Sequence, residues 1–359
     1  MVLLFAIANA WAADLVGADW GGSNLVLADG DTLEGVFTNV GRFEVPDGVT
    51  ASVVPMVPLE VHAEEMLITG TLSADGAGHA GGLRGEDGQG EGGGDAANSN
   101  SSGGGAGFAG KGGSGSLSNP YGTYDGGAAG GLSYHHLVDP LGSGGGGGDA
   151  ATGFGSGGAG GGAIALVAST VTIDGTLTLA GALGECPESK PVFPVGGGGG
   201  GSGGFLRIDA SSIDGVGTIY AVGGDTCGDS DTWGGGGGGG WVLVQGTDVI
   251  DVTVRLRGGE GETGGRPGTL SIDLDRDGLG AEEEFLAGTD PDNPDSDGDG
   301  YLDGEELEVL GRDPLYDPNI ETTGGTTPTE PAPATEEETG CGCQSAPPSM
   351  AWRPWSRRR

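Results

Sequence analysis

Two short segments carry aspartates at alternate positions, and alternate carboxylates on a tightly turning loop form a cage for a hard cation. The first reads Asp273-Leu-Asp275-Arg-Asp277-Gly278-Leu279-Gly-Ala281-Glu-Glu-Glu284. The second reads Asp295-Ser-Asp297-Gly-Asp299-Gly300-Tyr301-Leu-Asp303-Gly-Glu-Glu306. In each, acids fall at positions 1, 3, 5 and 12, with glycine at position 6. Calcium takes about six to eight oxygens at roughly 2.3–2.6 Å. Alternate aspartates aim inward, glycine permits the turn, and a position-12 glutamate can bind with both oxygens. Position 7 offers a backbone carbonyl, from Leu279 and Tyr301. Position 9 is Asp303 in the second loop but Ala281 in the first. Water is therefore expected to complete the first site, which should be the weaker.

An acidic solvated linker is the bland reading of the same residues. Against it, two full matches recur at a spacing of 295 − 273 = 22 residues. From Asp273 to Asp317 there are seventeen acids against two bases, Arg276 and Arg312. Such a density repels itself unless cations neutralise it. The segment has few apolar residues, chiefly Phe285, Leu286, Leu307, Val309 and Leu310, so metal must supply much of its folding free energy.

The string GTDPDNPDSDGDGYLDGEE resembles the thrombospondin type 3 repeat found in bacterial surface proteins. A decayed unit, GRDPLYDPN, follows it, and the resemblance spans Asp273 to Asn319. It implies repeats wrapped around calcium with little hydrophobic core and little regular secondary structure. Vertebrate relatives occur in matrix and adhesion proteins. The end of the chain, Thr-Gly-Cys341-Gly-Cys343 ahead of Arg357, Arg358 and Arg359, is similar to the C-terminal sorting tails of myxobacterial surface proteins. That resemblance implies processing or attachment at Cys341 or Cys343. The apolar helix of such tails is interrupted here by Pro347, Pro348, Arg353 and Pro354, which leaves simple secretion as the alternative.

The start, MVLLFAIANAWAAD, reads as a short signal peptide over residues 1–13, with a buried first strand as the alternative. Export permits disulfides. Cys186 and Cys227 lie 41 residues apart (227 − 186), one less than the repeat described next, and are expected to pair.

The elements that position the loops come from an internal repeat. Ala163 to Gly181 aligns without gaps over Phe205 to Gly223, at an offset of 205 − 163 = 42. Ile164, Leu166, Val171 and Leu177 meet Leu206, Ile208, Ile213 and Ile219, and Gly175 meets Gly217. Leu59 to Gly76 is an earlier copy at an offset of 105, and a weaker copy runs from Trp241 to Gly259. Each copy alternates apolar and polar residues over two short runs, the period of a strand. One copy cannot bury its apolar face alone, whereas stacked copies can. The predicted fold is all-β: a glycine-rich right-handed parallel β-helix or solenoid, followed by the calcium-binding segment. A β-sandwich is the runner-up.

Glycine supplies 85 of 359 residues, concentrated between the copies. Long mobile loops are one expectation for these tracts, since ordering glycine is entropically costly. Close-packed polyproline-II-like helices are the other. The domain plan is a signal peptide (1–13), first solenoid strands (14–76), a Gly-rich low-complexity insertion (77–162), solenoid repeats with Gly-rich loops (163–270), calcium repeats (271–319), a disordered Thr/Pro/Glu linker (320–340) and a Cys/Arg sorting tail (341–359).

A net charge of −38 argues against nucleic acid and anionic membranes as partners, and favours cations. No stretch of about 20 apolar residues spans a membrane. Nothing forms a nucleophile elbow, and His135 and His136 lie in a Gly-rich stretch without a cysteine nearby. The expectation is a calcium-binding secreted or cell-surface structural or adhesion protein of a bacterium, without catalysis. Its candidate partners are cell-surface glycans or matrix proteins. A carbohydrate-binding or polysaccharide-degrading β-helix is the alternative.

Overall fold

The computed structural model describes residues 12–97, 101–116, 128–134, 139–149, 154–186, 196–226, 233–246 and 251–316. The expected signal peptide up to residue 11, Cys227, the end of the decayed unit (317–319), the linker and the sorting tail lie outside these residues, as do His135 and His136.

The described chain is nearly all-β. A long strand, a tight turn and a short strand recur along it: β3 (Thr32–Val45) with β4 (Thr50–Val53), β5 (Leu59–Ile68) with β6 (Thr71–Ser73), and β7 (Ala163–Ile173) with β8 (Thr176–Thr178). β9 (Phe205–Asp214) with β10 (Thr218–Tyr220) repeats the pattern, and two shorter strands follow, β11 (Trp241–Gln245) and β12 (Thr253–Arg255). Two short strands, β1 (Asp14–Val16) and β2 (Leu25–Val26), precede them and pair with β3, and β13 (Thr269–Asp273) closes the series. The long strands stack in the order β3-β5-β7-β9-β11-β13 and the short ones in the order β4-β6-β8-β10-β12. Because β3 also pairs with β4, the two rows form one curled sheet whose strand pairings are parallel.

The register is that of the sequence repeat. Ile164 lies opposite Leu206 and Leu166 opposite Ile208, while Leu177 lies opposite Ile219. Leu59 and Val61 lie opposite Ile164 and Leu166, at the offset of 105. These side chains are buried and form one continuous core with Met66, Ile68, Leu72, Val171, Val242 and Val244. Alternation decides this arrangement, since a slip of one residue would turn the apolar row to solvent. The weaker copy joins at a shorter offset, with Trp241 opposite Phe205.

The glycine tracts are packed, so the mobile-loop expectation does not hold for their described parts. Residues 101–110, 141–148, 196–205 and 234–240 are buried. Successive amides of one tract point three ways. The N–H groups of Gly198, Gly201 and Gly204 donate to Glu185, Ala182 and Leu179. Those of Gly199 and Ser202 donate to Gly146 and Ser143, and those of Gly200 and Gly203 to Gly235 and Gly238. A direction that repeats every third residue is the geometry of polyproline II. Here it builds a bundle of extended tracts bonded to neighbours on three sides. Only glycine allows the spacing: a β-carbon on Gly199 would overlap the Gly104 carbonyl. A second apolar cluster seats the bundle against the strands. Phe108, Tyr134 and Leu141 pack on Ala163, Phe205, Trp241 and Leu243. The Tyr134 hydroxyl donates to the Leu141 carbonyl at 3.0 Å and lies 2.7 Å from Ser143 Oγ.

This packing sets an expected outcome. Gly199→Ala should destabilise the protein by about 2 kcal/mol or more, the scale of an overpacked interior. Gly264→Ala, whose β-carbon would meet nothing nearer than the Gly259 carbonyl at 3.4 Å, should cost less than about 1 kcal/mol. Equal unfolding midpoints for the two variants in a denaturant titration would contradict the packed bundle.

Candidate metal centre

The two Asp-rich loops lie directly after the last strand. Asp273 is the final residue of β13 and is fully buried. Gln245 of the neighbouring β11 donates to its Oδ2 at 2.7 Å. The loop thus grows out of the sheet edge, and Arg276 ties it back through a 3.0 Å ion pair with Asp209 of β9.

Both loops fold by the same local rules. Asp273 accepts the amides of Arg276 and Gly278, and Asp295 accepts those of Gly298 and Gly300. The third and fifth positions repeat a shorter motif. Asp275 and Asp297 accept the amides of Asp277 and Asp299, which in turn accept those of Leu279 and Tyr301. Aspartate favours such side-chain-to-backbone turns. The position-6 glycines sit at positive φ, 102° for Gly278 and 96° for Gly300. Position 4 is left-handed as well, Gly298 at 78° and Arg276 at 69°. A non-glycine residue there carries strain that the Asp209 ion pair helps to hold.

A short helical segment follows each loop and swings the position-12 glutamate back. Glu284 lies in α1 (Ala281–Ala287), which ends on left-handed Gly288. The second loop leads into α2 (Asp303–Glu305) and a π-helical turn over Glu306–Leu310. These segments add more helix than the expectation of little regular structure allowed.

The carboxylates converge. Asp273, Asp275 and Asp277 form one group whose oxygens lie within 4.8 Å of one another, and Asp295, Asp297 and Asp299 form a second. A third group joins the loops: Asp277, Glu284 and Asp303, all buried. Asp303 was expected among the second loop's ligands, and the structure brings its carboxylate to the first loop's. Its Oδ1 accepts the Ser296 amide at 2.9 Å, and the next amide, that of Gly304, donates to Asp277 Oδ2 at 3.0 Å. Glu306 faces Asp299, Asp297 and Asp303. Leu279 is buried, whereas Tyr301 is exposed with Arg312 over its ring at 4.9 Å.

These groups could hold metal ions. Both oxygens of Glu284 and of Glu306, with Asp275 Oδ2, Asp299 Oδ2 and Asp303 Oδ2, are buried with no hydrogen-bond partner. An isolated buried carboxylate is costly unless paired or bound to metal. The acidities report the same crowding. Burial, followed by Asp277 and Asp273, pushes Asp275 up to about 6. Burial, followed by Asp275, Asp277, Asp273 and Asp303, pushes Glu284 up to about 7. Asp277 and Glu306 are raised as well, again chiefly by burial.

Sequence reasoning found the loops and missed the roles of Arg276, Ser296 and the Asp303 placement. One signal was available: Arg276 stands where the second loop has Gly298. As for cysteine, Gly184 and Thr226 form a parallel bridge just before Cys186 and Cys227. No helix among the described residues is long and apolar enough to cross a membrane. No protein-family model matches this chain, nor does any curated protein or solved structure.

The acidities fix a pH dependence. A carboxylate whose folded pKa exceeds its unfolded value binds more protons folded than unfolded between the two. Unfolded values are about 4. The metal-free loops are therefore most stable in acid and lose stability as pH rises from about 4 through about 7. In a chelator, the thermal midpoint should fall between pH 5 and 7.5, and Glu284→Gln should reduce that fall. A midpoint that rises with pH to the same degree in both proteins would contradict the assignment.

Proposed function

We propose that this protein binds calcium through the two loops and acts without catalysis as a secreted or cell-surface structural or adhesion protein of a bacterium. The observation that carries the reading is the set of buried carboxylate oxygens without partners, all at positions the calcium pattern assigns to ligands. The first site uses Asp273, Asp275, Asp277, the Leu279 carbonyl and Glu284. The second uses Asp295, Asp297, Asp299, the Tyr301 carbonyl and Glu306. Oxygen-only donors of this number suit calcium better than magnesium, which demands a tight octahedron and releases water reluctantly.

The resemblance to thrombospondin type 3 repeats supports the same function. The surface role rests on that resemblance, on the exported start and on the sorting-like tail with Cys341 and Cys343. The parallel stacked sheet supports a right-handed β-helix as the finer fold. Such a shaft, stiffened by its glycine bundle and ended by calcium loops, suits a structural element that presents a surface to glycans or matrix proteins.

Calorimetric titration of the full chain tests the calcium reading. Binding should fall in the ~10⁻⁴–10⁻³ M range of extracellular modules. Magnesium should substitute poorly, and Glu306→Gln should weaken one site selectively. No heat and no spectroscopic change at about 1 mM calcium would overturn the reading.

Export has its own test. A Cys186–Cys227 bridge would close a loop of about 40 residues and stabilise by roughly 3–4 kcal/mol in the chain-entropy account. Mass mapping without reduction should recover the two peptides joined. Two free thiols in secreted protein would refute the pairing.

A further inference from the structure

The first loop lacks a ligand where the second has one. Its ninth residue is Ala281, which offers no side-chain oxygen. The structure brings an acid to that loop from elsewhere. Asp303, the ninth residue of the second loop, has its carboxylate grouped with those of Asp277 and Glu284, within 4.8 Å. Asp303 and Glu284 are fully buried and Asp277 is 6 % exposed. Glu284 has no partner on either oxygen, and Asp303 has none on Oδ2. Acids so placed, with no counter-charge among them and with these oxygens unpartnered, repel one another unless a cation lies among them.

The contact is built rather than incidental. Ser296 of the second loop donates to Asp303 Oδ1 and fixes the carboxylate. The Gly304 amide reaches back across 27 residues to Asp277 Oδ2 at 3.0 Å. Gly304 is close-packed on the Asp277 carbonyl, where a β-carbon would overlap. The backbone of the second loop thus docks on the first loop at the point where Asp303 enters.

We infer that Asp303 is a ligand of the first loop's cation, supplied by the second loop in place of the missing acid at Ala281, and that the two sites therefore load cooperatively. This rests on the calcium reading of the loops. Ordering of the second loop by its own cation sets the Ser296–Asp303 turn and delivers the carboxylate to the first. By linkage, a cation in the first loop holds Asp303 and favours the ordered second loop to the same degree. The first site is then not the weaker of the two, as the loops taken separately implied.

The experiment is a calcium titration of the full chain, followed by the amide resonances of Gly278 and Gly300, one for each loop. In the wild type the two signals should titrate together with a Hill coefficient above 1. Asp303→Asn keeps an acceptor for Ser296 but removes the charge. It should shift the Gly278 midpoint to higher calcium by roughly 5- to 150-fold, the usual range of such couplings. Adding Ala281→Asp to that variant should restore the Gly278 midpoint, because the first loop then carries its own ninth acid. If the wild type shows no calcium response, the calcium reading itself fails. If it responds but the two glycines titrate independently, or Asp303→Asn moves only Gly300, the loops bind calcium and the shared-ligand inference is wrong.

Discussion

A backbone amide removed from water must find an acceptor, and that requirement shapes the three parts of this chain in turn. In the strands it is met by parallel pairing with the copy before and the copy after. In the glycine tracts there is no strand ladder, yet the amides of residues 198 to 204 still reach acceptors on three neighbouring segments. In the loops the acceptors are aspartate side chains, with Asp273 and Asp295 each taking two amides. What changes along the chain is the source of the acceptor: neighbouring strand, neighbouring glycine tract, then local carboxylate.

The last of these sources has a consequence the first two lack. A main-chain carbonyl is neutral, but a carboxylate brings a charge with it. Using aspartates to organise a turn concentrates negative charge in a small volume, and the position-12 glutamates add more. The oxygens that do not accept amides are left facing one another, and these are the unpartnered atoms of Glu284, Glu306, Asp299 and Asp303. The loop backbone is therefore held by the same aspartates whose remaining oxygens crowd one another. Burial first, and this crowding second, push the carboxyls of Asp275 and Glu284 upward.

Much of this was legible in the residues. The offsets of 42 and 105 are the register of β7 on β9 and of β5 on β7, because period-two alternation and a buried face permit one alignment only. That the alternate aspartates of each loop converge was legible because their spacing within a turning loop brings them together. Two things were not. The glycine tracts carry no side-chain pattern, so sequence leaves their conformation open between coil and packed helices, and partners decide it from far along the chain, as Gly104 does for Gly199. The approach of Asp303 to the first loop was not legible for a related reason. Spacing within its own loop assigns it to position 9, while the Ser296 amide on its carboxylate and the Gly304 amide on Asp277 bring it near Asp277 and Glu284, which spacing cannot express.

The join between sheet and loops follows from residues that serve both. Asp273 pairs with Gln245 as the last position of the β11–β13 ladder and is also position 1 of the first loop. Arg276 adopts a left-handed backbone that its side chain helps to hold through Asp209, a residue of the sheet two strands away from β13. The loop is thereby tied to the sheet beside β13, which has a long-strand neighbour on one side only. An edge strand of this kind exposes unpaired main-chain groups and invites association with other chains. The acidic loops follow this terminal strand directly, and two side-chain contacts hold the first of them to the sheet: Gln245 of β11 on Asp273, and Arg276 on Asp209 of β9.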